Sequence, residues 1–376
     1  MPPTRLIPLV LVLPVALSAQ DSTARRSAGH FAIDLGLHRT GLSIGNSARW
    51  TGLRINWADE DVDRVDGVNF TLYKSDHNES ATVNGLAVGI AGPMAGTING
   101  VALGVGGVVV AHSVNGISIA GLGLVSEDAM NGLNVAGLGL VSQGSVSGLN
   151  LAGLGAVAER DVRGITVAGL GVVSNGTMTG ISVAGLGTVS AGGMRGINLA
   201  GLGLVAQGGL EGINFGGLAA VSQGDITPLS VSGLATVAQG WVSGLALSGM
   251  AIVATGGIRG IAVGGLAVVA GGGVSGAVAT LGGVYAPRLR GLAIAGYRIR
   301  SEDVGGIVAA GWLKTRDQRG VSVALFNQVY GAQRGLTIAV FNYARELHGI
   351  EIGLLNYAGN NSGPFRLLPL FNVHGH

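Results

Sequence analysis

Residues 130–145 read M-N-G-L-N-V-A-G-L-G-L-V-S-Q-G-S, and residues 146–161 follow without a gap as V-S-G-L-N-L-A-G-L-G-A-V-A-E-R-D. The third residue of each copy, Gly132 and Gly148, belongs to a series spaced by 16: Gly116, Gly132, Gly148, Gly164, Gly180, Gly196, Gly212, Gly244, Gly260 and Gly276, with Pro228 taking the place of glycine once. A short fixed period held over this length marks a stacked repeat, in which each unit leans only on its neighbours.

Counting from the residue after this lead glycine, position one is Ile or Leu in nearly every regular unit and position three is Val, Leu, Ile or Phe. Side chains alternate along a strand, so one and three share a side, and their size points that side inward. Position six, a leucine such as Leu122, Leu138, Leu154 or Leu170, has the opposite parity. The chain must therefore bend at the Ala-Gly of positions four and five, which glycine permits. Position nine is Val, positions ten to thirteen form a polar or glycine turn, and position fourteen is apolar again, as in Met130 and Val146. A helix is excluded, because each glycine costs it about 1 kcal/mol relative to alanine. The pattern predicts an all-β chain, a β-solenoid of about twenty short coils. At about 4.8 Å per coil the rod is roughly 100 Å long. The rival is a transmembrane β-barrel of one strand and one turn per unit. Its lumen would be greasy, and aromatic girdles are missing from the centre of the sequence.

The chain has 376 residues, of which 70 are glycine, 48% are hydrophobic and 11% are charged. It has no cysteine, so disulfides and thiol chemistry are excluded. A net charge of +2 without a basic run speaks against a nucleic-acid partner. Arg5, the apolar run 6–17 and the small residues Ala16, Ser18 and Ala19 read as a signal peptide over residues 1–20. The expected divisions are 1–20 signal peptide, 21–82 irregular repeats and cap, 83–286 regular array, and 287–376 C-terminal repeats and cap. Of the 42 charged residues, ten fall within 83–286, which suits polar capping segments around an apolar array.

Past the regular array the lead glycines continue at Gly291, Gly306, Gly320, Gly335 and Gly349, and the unit changes to V-A-L-F-N, I-A-V-F-N-Y-A and I-G-L-L-N-Y-A. The stretches 320–327, 335–344 and 349–358 resemble a bacterial family of surface-repeat proteins first noted in spirochaetes, built of units like G-L-x-I-G-L-x-N-x-A. The resemblance is close over the last sixty residues and holds in outline over the array, where Gly139 and Gly155 stand in place of the family's asparagine. It implies export and association with the cell surface, and it carries over no catalytic residue.

No nucleophile elbow, Walker loop or zinc-protease motif is present. No cofactor is expected and the chain reads as a non-enzyme. His374 and His376 read as a solvated tail rather than a metal site, and Asp59, Asp61, Asp63 and Asp66 as a solvated acidic loop rather than a calcium loop. Two polar columns remain. Position two gives Ser118, Asn134, Asn150, Thr166, Ser182, Asn198, Asn214 and Ser230; lying between inward positions, it is expected to face outward as a binding ladder. Asn327, Asn342, Asn356 and Asn372 are expected to stack at a bend with amides bonded from coil to coil. The expected function is an exported structural, adhesion or binding protein at the outer membrane, cell surface or periplasm. Its partners would be a polysaccharide, the cell envelope or other copies of itself, with membrane association as a further route. The alternative is an outer-membrane barrel acting as pore or anchor.

Overall fold

Each lead glycine stands beside the one before it. A computed structural model describes residues 31–73 and 77–375, which leaves the expected signal peptide outside the described residues. Parallel pairing sets Gly132 beside Gly148, Gly148 beside Gly164 and Gly164 beside Gly180, and the column extends from Gly41 at one end past Gly320 at the other. A coil consists of a longer strand such as Val146–Ala152, a two-residue corner, and a shorter strand such as Gly155–Ala158. The longer strands form one parallel ladder and the shorter strands a second. This is a β-solenoid. It is not a barrel, because each strand pairs in parallel with the strand one coil away, whereas an up-and-down barrel pairs consecutive strands antiparallel.

Two glycines per coil make the geometry possible. At Gly148 φ is +107°, a region closed to most side chains, and a Cβ would lie 2.1 Å from the carbonyl oxygen of Gly132. At Gly153, in the corner, a Cβ would lie 1.8 Å from the oxygen of Gly137. Coils follow one another so closely at these points that only hydrogen fits.

The interior is filled, but by the opposite parity from the one size suggests. In the coil of Gly148 the buried residues are Val146, Asn150, Ala152, Ala156 and Ala158. Leu149, Leu154 and Val157 are exposed, and Leu151 is half-buried. A coil of 16 residues encloses room for about five small or medium side chains. A leucine at positions one, three and six together would overfill it, and close packing leaves no slack for that. The larger side chains inside are confined to positions fourteen and eight, as with Met130 and Leu140. One core cluster runs from Val62 to Ala339, across both expected domain boundaries; a small second cluster holds Val329, Ala344, Leu347 and Ala358.

Both ends are closed by an antiparallel strand. Ala32–Leu37 pairs with Thr40–Gly45 through a turn in which His38 and Arg39 have φ of 52° and 61°. At the other end Leu367–His374 pairs with the end of the strand Asp317–Ala358, which continues through the last coils without interruption. Apolar side chains are exposed at both ends: Phe31 before the first strand, Leu35 and Leu37 on it, and Leu370 and Phe371 on the last.

Candidate functional site

The ladder at position two exists, and it points inward. Ser118, Asn134, Asn150, Thr166, Ser182, Asn198, Asn214 and Ser230 are all buried. Asn134 Nδ2 donates to Asn150 Oδ1 at 2.8 Å, Asn150 Nδ2 to Thr166 Oγ1 at 3.2 Å, and Asn198 Nδ2 to Asn214 Oδ1 at 2.9 Å. It is an internal polar spine and not a binding face. A second internal device accompanies it. The position-ten serines Ser142, Ser174, Ser190 and Ser222 each donate to a turn carbonyl of the preceding coil: Asp128, Arg160, Gly176 and Gly208. The carbonyls of Arg160, Gly176 and Gly208 also accept a backbone amide of the next coil, so there the serine takes a second acceptor position.

The C-terminal asparagines are also buried, and their stacking is partial. Asn342 Nδ2 donates to Asn356 Oδ1 at 2.7 Å, whereas Asn372 accepts from Asn361 and Asn327 reaches Gln333 instead of the next rung.

An outward ladder occurs at a position the repeat reading passed over, the residue before the lead glycine. Asn131 donates to Asn115, Asn115 to Asn99, and Asn99 to Asn84, each at 2.9 Å, and Asn84 donates to Asp66 at 2.7 Å. Arg64, hydrogen-bonded to Asp66, holds that carboxyl below its usual range, with Asn84 adding to the effect. The sequence signal was four asparagines in register, each directly before a lead glycine. Further along, the same column holds Arg163, Thr179, Arg195 and Glu211, with Arg195 paired to Glu211 at 3.0 Å.

The acidic loop is knitted into the N-terminal coils, and Asp59 is not solvated. Asp59 is buried against the equally buried Arg54, and also accepts from Asn56, Asn69 and Thr71. Asp63 pairs with Arg49, and Asp66 with Arg64. Among the described residues no three acidic or histidine side chains converge to hold a metal. His376 lies outside the described residues, and His374 contacts Asn361.

The largest surface feature is aliphatic. Position six runs from Leu122 to Leu266 as ten residues, nine Leu and Met250, each between 45% and 57% exposed. On one side of it lie the outward residues of the longer strands, including Ile117, Leu149, Ile165 and Ile213. On the other lie those of the shorter strands, including Val125, Val141, Val157 and Val189. The inner residues of both ladders share one core, so the two outer faces look in different directions and meet at the leucine column. Covering the open half of one leucine contributes about 1 kcal/mol, so this column alone offers about 10 kcal/mol before any cost of binding. Exposed apolar patches of this extent are interaction sites on soluble proteins.

Towards the C-terminus the outer surface beyond the leucine column becomes aromatic and cationic. Phe326 and Phe341 stack at 5.3 Å, the Arg298 guanidinium lies 4.6 Å from the Trp312 ring centre, and Lys314 lies 5.1 Å from that of Tyr330. A row of tyrosines follows, with Tyr343 and Tyr357 stacked at 5.1 Å. Between Arg288 and Arg366 there are ten Lys or Arg against five Asp or Glu. One of those five, Glu351, is buried in the coil that the last strand covers, and burial pushes its carboxyl up to about 8.

Among the described residues no helix is long and apolar enough to cross a membrane. Compared with family models, curated proteins and solved structures, the chain matches none.

Proposed function

We propose that the protein is a non-catalytic structural and binding rod, exported through its first twenty residues and held at the cell envelope or surface. One observation carries this reading: over the central coils the aliphatic side chains of positions one, six and nine face outward, while the polar column of position two faces inward. A surface so arranged needs a partner along its length. The repeat resemblance of the last sixty residues supports the same location. The solenoid form suits it, because adding coils lengthens the face without changing its chemistry.

The test is fractionation of a two-membraned bacterial host expressing the full chain. The expected result is processing near Gln20 and recovery with the envelope or the cell exterior. A full-length, monodisperse chain in the cytoplasm would overturn the reading.

A further inference from the structure

We infer that the partner of the aliphatic corner is a lipid surface, and that the rod lies along it with the leucine column inserted. The inference rests on the reading of a binding rod given above, and it names that rod's partner.

Three features point to lipid. The first is shape. The apolar surface occupies two faces that look in different directions and meet at the column Leu122–Leu266. A second copy, or any rigid partner, covers one such face and leaves the other in water. A fluid apolar phase covers both at once. The second is the placement of charge. In the regular coils the charged side chains sit in the turns and in the column before the lead glycine, where Arg163 and Arg195 are largely exposed. That column adjoins the apolar face across the lead glycine, so these arginines, paired to Asp161 and Glu211, lie at headgroup level when the corner is immersed. The third is the outer surface of the C-terminal coils, where Trp312 and Tyr330 carry Arg298 and Lys314 over their rings. Amphipathic aromatics and long cationic side chains are the residues that settle at a membrane–water boundary.

The backbone tolerates this setting. Lipid demands that backbone polar groups be satisfied within the protein. At the corner itself the Leu154 amide donates to the Leu138 carbonyl and the Leu170 amide to that of Leu154, each at 2.7 Å. The strands on either side are paired coil to coil.

The experiment uses the full chain and vesicles of phosphatidylcholine containing phosphatidylglycerol. The chain has no cysteine, so Leu170→Cys on the corner and Asn175→Cys in the exposed turn across the coil each take one environment-sensitive fluorophore. The expected result is a blue shift and quenching by nitroxide-labelled lipid at position 170 and neither at 175. This contrast separates insertion of the corner from attachment through residues 1–20. The triple variant Leu154→Ser, Leu170→Ser, Leu186→Ser should lower vesicle partitioning at least about tenfold, since such binding scales with immersed apolar area, while its circular dichroism spectrum stays that of strand. Equal quenching at both positions would overturn the inference. So would pyrene excimers between copies labelled at 170 that persist when vesicles are added, because the corner would then be occupied by a second copy. No quenching at either position, with small-angle scattering still showing a rod, would overturn the lipid partner and leave the binding rod standing.

Discussion

Replacing Asn150 by Ala should damage the protein more than replacing Leu154 by Ser, although ordinary hydrophobic reasoning orders them the other way. Asn150 is wholly buried, accepts from Asn134 and donates to Thr166. Its loss strands the Asn134 amide inside the coil, where an orphaned buried donor costs about 1–3 kcal/mol. A cavity is left as well, and the sum is about 3 kcal/mol. Leu154 is 48% exposed, so its replacement removes only the covered half of a leucine, about 1 kcal/mol. With a urea dependence of about 2–3 kcal/mol per molar, the midpoints should fall by about 1 M and by less than about 0.5 M. Urea titrations followed by circular dichroism read both numbers. If Leu154→Ser lowers the midpoint as much as Asn150→Ala, leucine lies in the core and the inside-out assignment is wrong.

Gly153→Val should cost more than about 3 kcal/mol, because its Cβ would overlap a backbone oxygen that cannot step aside, whereas Ser147→Val, on the half-exposed outer column, should stay within about 0.5 kcal/mol. Comparable melting temperatures for the pair would contradict the corner geometry. Removing residues 162–177 takes out one whole coil and should leave a soluble, folded rod; removing eight residues inverts the register and should give aggregate, as gel filtration would report. Glu351 predicts a pH dependence. Below about pH 4.5 its carboxyl is protonated in both states and contributes no difference. From there to about 8 the unfolded chain loses the proton and the folded chain keeps it, so stability falls by about 1.4 kcal/mol per unit as pH rises, then levels off. Glu351→Gln should flatten that slope, and thermal midpoints between about pH 5 and pH 9 that still decline in the variant would assign the effect elsewhere.

The architecture was legible because glycine spacing reports it directly. A lead glycine every 16 residues fixes where the coils touch, and the corner glycines Gly137, Gly153 and Gly169 sit where a Cβ would collide with the preceding coil. The facing of the strands was not legible. Leu149 and Leu151 look like core and Asn150 looks like surface when size and polarity decide alone. What decides is the volume enclosed by a coil, a property of closure that no window of sequence displays. Once it is known, the alanines settle the matter: Ala136, Ala152, Ala168 and Ala184 share parity with the asparagines and are buried with them. Asp59 was misread for a related reason. Asn69 and Thr71, which donate to it, lie on the next strand Arg64–Thr71, and only the stacking of coils brings them to it.

The direction of the backbone bonds has a mechanical consequence. Each coil is tied to the next by bonds that run along the rod, such as those linking the amides of Leu138, Leu154 and Leu170 to the coil before. Tension applied at the two ends therefore loads the outermost coil first and opens its bonds in sequence, as a zipper opens. A released coil of 16 residues adds about 50 Å of chain, against the roughly 5 Å it occupied in the stack. Anchored at one end and pulled at the other, the protein lengthens in equal steps at nearly constant force. A load spread across its flank meets all the coils together. The same chain is thus an extensible tether along its axis and a stiff beam across it.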